Sequence, residues 1–126
     1  MKTFKATLIA FSIFLLLGYS IRVGAVNFKL KTPGGQKVAL GKLLEQGPLV
    51  VSFWATWCHP CQEELKHLQN FYRVYADSGI GFLAVSIDEA RNKQKVISQI
   101  SGKKITLPVV LDPEQEAMKA FGLTDV

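Results

Sequence analysis

The order of hydropathy patterns along the chain predicts an α/β fold built on a small mixed sheet. A continuous apolar run at residues 49–55 gives way to a three- and four-residue repeat, then to a second apolar run at 80–87. That is the strand, helix, strand order of a βαβ unit. The chain has 126 residues, 48% of them apolar, which is room for one domain and one core but not for two.

Taken in order, residues 26–30 read as a first strand, and Thr32-Pro33-Gly34-Gly35 reads as a turn by composition. Residues 36–40 resume extended character before a short helical turn at Lys42-Leu43-Leu44-Glu45, closed by Gly47-Pro48. Leu49-Val50-Val51-Ser52-Phe53-Trp54-Ala55 is nearly continuous in apolar, β-branched and aromatic residues, the pattern of a strand buried on both faces and expected at the centre of the sheet. The period then changes. Leu65, Leu68, Phe71 or Tyr72, and Tyr75 recur at helical spacing, while Glu63, Glu64, Lys66, Gln69 and Arg73 fill the other face. An amphipathic helix is therefore expected from near Cys58 to Ser78-Gly79, and right-handed crossover makes the flanking strands parallel. A helix over 92–100, a strand over 107–111 and a helix over 114–121 complete the predicted order. After Ala25 there are no repeats, low-complexity tracts or linker-like runs, as expected of one compact unit.

The net charge of +5 is unevenly placed. Three of the 15 basic residues, Lys2, Lys5 and Arg22, lie in the first 25 residues and all ten acidic residues follow them, leaving 12 against 10, or +2, for the remainder. So small an excess gives no electrostatic case for nucleic-acid binding. Lys2 and Lys5 precede an apolar run over residues 6–17, and Val23-Gly24-Ala25 supplies small residues for cleavage. Residues 1–25 are expected to be a cleaved export signal, with a retained membrane anchor as the alternative; the run falls short of the ~20 apolar residues of a spanning helix. Either reading sends residues 26–126 out of the cytosol, to the periplasm or the outer face of the cytoplasmic membrane, where disulfides persist.

Cys58 and Cys61 are the only cysteines, and they fall where the strand at 49–55 runs into the amphipathic helix. A thiol at a helix start feels the positive end of the macrodipole and unpaired backbone N–H groups, both of which favour the thiolate. Cys58 is thus the expected nucleophile, and Cys61, one turn on and less exposed, the expected resolving cysteine. His59, when protonated, adds positive charge beside the thiolate, Pro60 suits the first helical turn, and Trp54 and Trp57 are expected to frame the site as an apolar platform. Structural zinc usually takes four Cys/His ligands in paired clusters, and His67 should project on another face from the cysteines. A purely structural disulfide closing so short a loop adds little stability. No organic cofactor or metal is expected.

The stretch Phe53-Trp54-Ala55-Thr56-Trp57-Cys58-His59-Pro60-Cys61, followed by Glu63, Glu64 and Leu65, resembles the TlpA-like and ResA-like branch of the thioredoxin superfamily. Leu83-Ala84-Val85-Ser86-Ile87-Asp88-Glu89, Leu107-Pro108-Val109-Val110-Leu111-Asp112 and Ala120-Phe121-Gly122-Leu123 resemble its later elements. The resemblance implies a thioredoxin-like fold, a central mixed sheet flanked by helices. It also implies an extracytoplasmic reductase of protein disulfides, commonly linked to cytochrome c maturation and recharged by an upstream membrane or thiol electron donor. His59 pulls modestly toward a more oxidising pair.

Ser52 stands where cytosolic thioredoxin carries a buried Asp, so the proton-accepting carboxylate is expected elsewhere or replaced by water. The resemblance points to Glu89, after a strand that should end beside the cysteines. In the family, the stretch matching Gly122-Leu123-Thr124-Asp125-Val126 leads into a cis-proline, two antiparallel strands and a helix. Residues 26–126 are therefore expected to form an incomplete domain lacking that last hairpin and helix, and Pro108 is read as lying at the start of an earlier strand, in the position of a different family proline and not of the cis-proline. The competing expectation is an inactive or fragmentary thioredoxin-like domain serving only as a binding module.

Overall fold

The computed structural model describes residues 28–126. The expected signal or anchor at 1–25, and the opening of the first predicted strand, lie outside the described residues. Strands β1 (Lys29–Lys31) and β2 (Lys37–Ala39) form an antiparallel pair with Leu30 opposite Val38. The turn between them is closed by the Gly35 N–H donating to the Thr32 carbonyl at 2.8 Å. Helix α1 (Leu40–Leu44) follows directly and lays Leu40 on the sheet.

Strand β3 (Leu49–Trp54), helix α2 (His59–Tyr75) and strand β4 (Gly81–Ser86) make the predicted βαβ unit, with β3 and β4 parallel from Leu49–Gly81 to Trp54–Ser86. A 3-10 turn (Ala90–Asn92) leads into α3 (Lys93–Gly102), then β5 (Val109–Leu111) and α4 (Glu116–Ala120). The sheet order is β2-β1-β5-β4-β3, with β4 parallel to β5 and β1 antiparallel to β5. Among the described residues no helix is long and apolar enough to cross a membrane.

The sheet has a buried cluster on each face. On one side Trp54, Ala84 and Val109 pack beneath Cys58, Cys61, Leu65 and Val96. On the other, Leu83, Val85 and Val110 pack with Leu40, Phe28, Leu30, Val38, Leu49 and Val51. Burying an aliphatic side chain contributes about 1.5–3 kcal/mol, so these clusters carry most of the fold's stability.

Two expectations need correcting. β3 is not central: among the described residues it is an edge strand of the sheet, and Val50 is 42% exposed. Its apolar run reports burial of its faces, since Leu49, Val51 and Phe53 pack on one side and Trp54 on the other, but hydropathy is silent about edge hydrogen bonding. The strand that reads as buried throughout is β4, from Phe82 to Ser86. Gln69, assigned by its polarity to the solvent face of α2, is buried. Its Oε1 accepts from the Thr106 and Leu107 N–H groups at 2.7 and 2.9 Å, and its Nε2 donates to Thr106 Oγ1 at 2.8 Å.

Of the two aromatic candidates on α2, Tyr72 turns inward and meets Phe82 edge to face at 5.9 Å. Phe71 is 56% exposed and stacks on Tyr75. α2 stops at Tyr75, and the turn that follows it closes at Gly79, whose φ of 84° an L side chain rarely adopts. Gly47 is needed close by, because a Cβ there would run into the Gly79 carbonyl.

Candidate active site

The cysteines meet at the start of α2. Cys58 is the N-cap residue, with extended backbone angles of −90° and 100°, and its Sγ accepts the Cys61 N–H at 3.3 Å. This is one of the orphan donors of a helix start, so the sulfur sits where backbone dipoles favour negative charge. Pro60 falls in the first turn and removes no needed hydrogen bond. Cys58 and Cys61 are joined as a disulfide, with Cα atoms 5.4 Å apart. Both are largely buried, at 7% and 8% exposure.

Trp54 and Trp57 do not form one platform. Trp57, immediately before Cys58, is 60% exposed, whereas Trp54 is fully buried in the cluster that holds both cysteines. Trp54 is the floor of the site and Trp57 its outer wall. His59 is exposed on the first residue of α2. A hydrogen bond from Lys66 holds the Glu63 carboxyl below its ordinary range, with smaller contributions from the positive charges of Lys66, His59 and Lys103.

The three carboxylates around the site have different surroundings. Glu89 is not drawn to the cysteines: its side chain is 62% exposed and pairs with Arg91 at 2.8 Å. It lines a cleft with Lys31, Lys93, Leu111 and Asp112 whose walls include neither cysteine. The end of β4 does reach the site, but the next side chain back, Asp88, is the one that turns inward. Asp88 is 3% exposed and accepts from the Thr56 N–H at 2.9 Å, from the Thr56 hydroxyl and from the Ser86 hydroxyl at 2.9 Å. Glu64, one helical turn beyond Cys61, accepts from the buried Ser52 hydroxyl at 3.3 Å. The three-residue step from Cys61 places Glu64 on the same side of α2, a signal the sequence carried. No comparable spacing pointed to Asp88.

A family model described as AhpC/TSA family matches residues 21–126. The chain belongs to the AhpC/TSA family. It is 30% identical over 100 residues to the thiol-disulfide oxidoreductase ResA of Bacillus subtilis, covering 79% of this chain and 54% of that protein. It is 28% identical over 100 residues to the sporulation thiol-disulfide oxidoreductase A of the same organism, covering 79% of this chain and 59% of that one. The chain thus spans somewhat more than half the length of these curated relatives.

Among solved structures, that of StoA from Bacillus subtilis aligns with a TM-score of 0.65 at 29% identity, over 79% of this chain and 74% of that one. A secreted Mycobacterium tuberculosis disulfide oxidoreductase aligns with a TM-score of 0.66 at 18% identity, over 76% of this chain and 68% of that one, a likeness of fold alone. The five-stranded mixed sheet with flanking helices matches these neighbours in fold, and it is the thioredoxin-like α/β architecture expected from the sequence.

Proposed function

We propose that this chain is a thiol-disulfide oxidoreductase working through Cys58 and Cys61, in the reducing direction, on disulfides of exported proteins. The observation that carries the reading is the placement of the pair: Cys58 Sγ caps α2 and accepts the Cys61 N–H, beside an exposed Trp57. The similarity to ResA and to the sporulation oxidoreductase supports it. Residues 26–126 form the thioredoxin-like domain, and residues 1–25 are the export signal or anchor that places it outside the cytosol. Cytochrome c maturation is the process that the ResA-like resemblance favours.

In the mechanism, the Cys58 thiolate attacks a substrate disulfide, forms a mixed disulfide and releases one substrate thiolate. Cys61 then loses its proton and attacks Cys58 Sγ, which expels the second substrate thiolate and closes the Cys58–Cys61 bond. Two electrons pass from the pair to the substrate. Glu64, exposed one turn along α2 from Cys61 and bonded to Ser52, is the carboxylate we propose to take the Cys61 proton. A dithiol donor reverses the sequence and restores the reduced pair. Trp57 offers an apolar surface for the substrate, and Trp54 fixes the cysteines from below.

Substituting either cysteine by serine abolishes turnover of a protein disulfide, and only Cys61→Ser accumulates a covalent partner through Cys58. Non-reducing electrophoresis of the two variants with an oxidised protein substrate checks this. Equal trapping by both variants, or none by a folded Cys61→Ser chain, contradicts the assignment of roles and favours a binding module.

A further inference from the structure

Thr56, two residues before Cys58, is held from every polar side. Its N–H and hydroxyl both donate to Asp88, which is itself anchored by Ser86. Its carbonyl accepts from Gln62 Nε2 of α2 at 2.8 Å and from Gln99 Nε2 of α3 at 3.2 Å. Gln62 is in turn fixed by Lys103 Nζ at 2.8 Å. Side chains from the loop after β4, from α2 and from α3 therefore converge on one residue of the loop that presents the nucleophile. Thr56 is 6% exposed and Asp88 3%, so water competes weakly for these bonds.

These bonds satisfy the buried N–H and carbonyl of Thr56, but they draw on side chains from three separate segments, so they also fix where the loop sits. Cys58 N–H is already bonded to the Ala55 carbonyl at 3.1 Å, and the helix start is capped by Cys58 itself. The clamp acts on the freedom of the segment that carries Cys58 relative to Cys61, which sits on the rigid helix. Restricting that freedom raises the effective concentration of one sulfur at the other.

We propose that Asp88 is a positioning residue for the redox pair: by clamping Thr56 together with Gln62 and Gln99, it holds Cys58 at bonding distance from Cys61 and sets how readily the pair closes. This rests on the oxidoreductase reading and adds a residue to it. Reduced chain and oxidised glutathione exchange to give the Cys58–Cys61 disulfide and two reduced glutathiones, so the equilibrium constant reports effective concentration directly.

The test measures that constant for the full chain and for Asp88→Asn, Thr56→Val, Gln99→Leu and Leu83→Ala, with circular dichroism identifying the folded ones. Asp88→Asn is expected to lower the constant about tenfold, which raises the reduction potential by about 30 mV. Thr56→Val and Gln99→Leu, which change no charge, are expected to lower it about threefold, converting to a rise of about 14 mV. Leu83→Ala, on the opposite face, is expected to weaken folding and leave the constant of the folded protein unchanged. The folded clamp variants staying within about twofold of the parent, or shifting no more than Leu83→Ala, overturns the positioning role. If Asp88→Asn does not fold, Thr56→Val and Gln99→Leu decide alone. Failure of the parent itself to exchange with glutathione overturns the oxidoreductase reading and the clamp with it; a parent that exchanges beside unaffected clamp variants overturns only the clamp.

Discussion

The two faces of the sheet are built from different materials. The face under α1 is closed by Leu40, Leu83, Val85 and Val110, with partly buried aliphatic and aromatic residues around them. The face under α2 and α3 also has an apolar core, but buried polar groups are set into it: Thr56 and Asp88 at the cysteine loop, Ser52 beneath α2, and Gln69 at the loop before β5. Apolar packing tolerates small shifts because it is not directional, whereas each buried hydrogen bond specifies a distance and an angle. The face that needs only to be stable is greasy; the face that has to hold two sulfurs in register is pinned.

The largest effect that tests this contrast is expected on the apolar face. Leu83→Ala removes a side chain that is 1% exposed, at a cost of about 2–5 kcal/mol. Denaturant unfolding is expected to show that loss while the redox equilibrium of the folded protein stays put, and a change in that equilibrium would blur the division between the faces. Gln69→Ala, on the pinned face, leaves the Thr106 and Leu107 N–H groups without their acceptor and is expected to cost about 1–3 kcal/mol. Hydrogen exchange is expected to rise at those two amides first; a uniform rise across β5 and α2 would mean that Gln69 contributes general packing only.

The smallest effect belongs to the surface. Glu63→Gln weakens the 2.7 Å pair with Lys66, and no change in melting temperature is expected at neutral pH, because the pair lies at the surface and water screens it. The Glu63 carboxyl is held below its ordinary range, so whatever the pair adds is present above that range and is lost as pH falls through the lowered value. A melting-temperature difference between parent and Glu63→Gln that grows as the solution is acidified from neutral would contradict that sign.

Much of this was legible in the sequence, for physical reasons. The alternation of strand and helix periods marks the βαβ unit, and the position of Cys58 between an apolar run and a helical repeat marks the site. Periodicity records which side of an element is buried, so it located α2 and β4 well. It does not record which strand has a hydrogen-bonded neighbour, so it reads β3 as central, whereas among the described residues β3 lies at the edge.

Polar side chains were the harder class. Asp88 and Glu89 are adjacent in the loop after β4, and nothing in composition tells which one turns inward; Asp88 bonds to Thr56 and Ser86, and Glu89 pairs with Arg91. Gln69 reads as a solvent-facing residue because its buried partners lie 37 and 38 positions away in the chain. Long-range polar pairing of this kind has no local signal.

The central claim is that Cys58 and Cys61 act as one redox unit, and a redox titration of the folded chain with thiol alkylation at each potential tests it most directly. A single reversible two-electron transition, lost in either serine variant, is the result expected. Two cysteines that alkylate independently in a folded chain, or a disulfide that does not exchange with a thiol buffer, would contradict it.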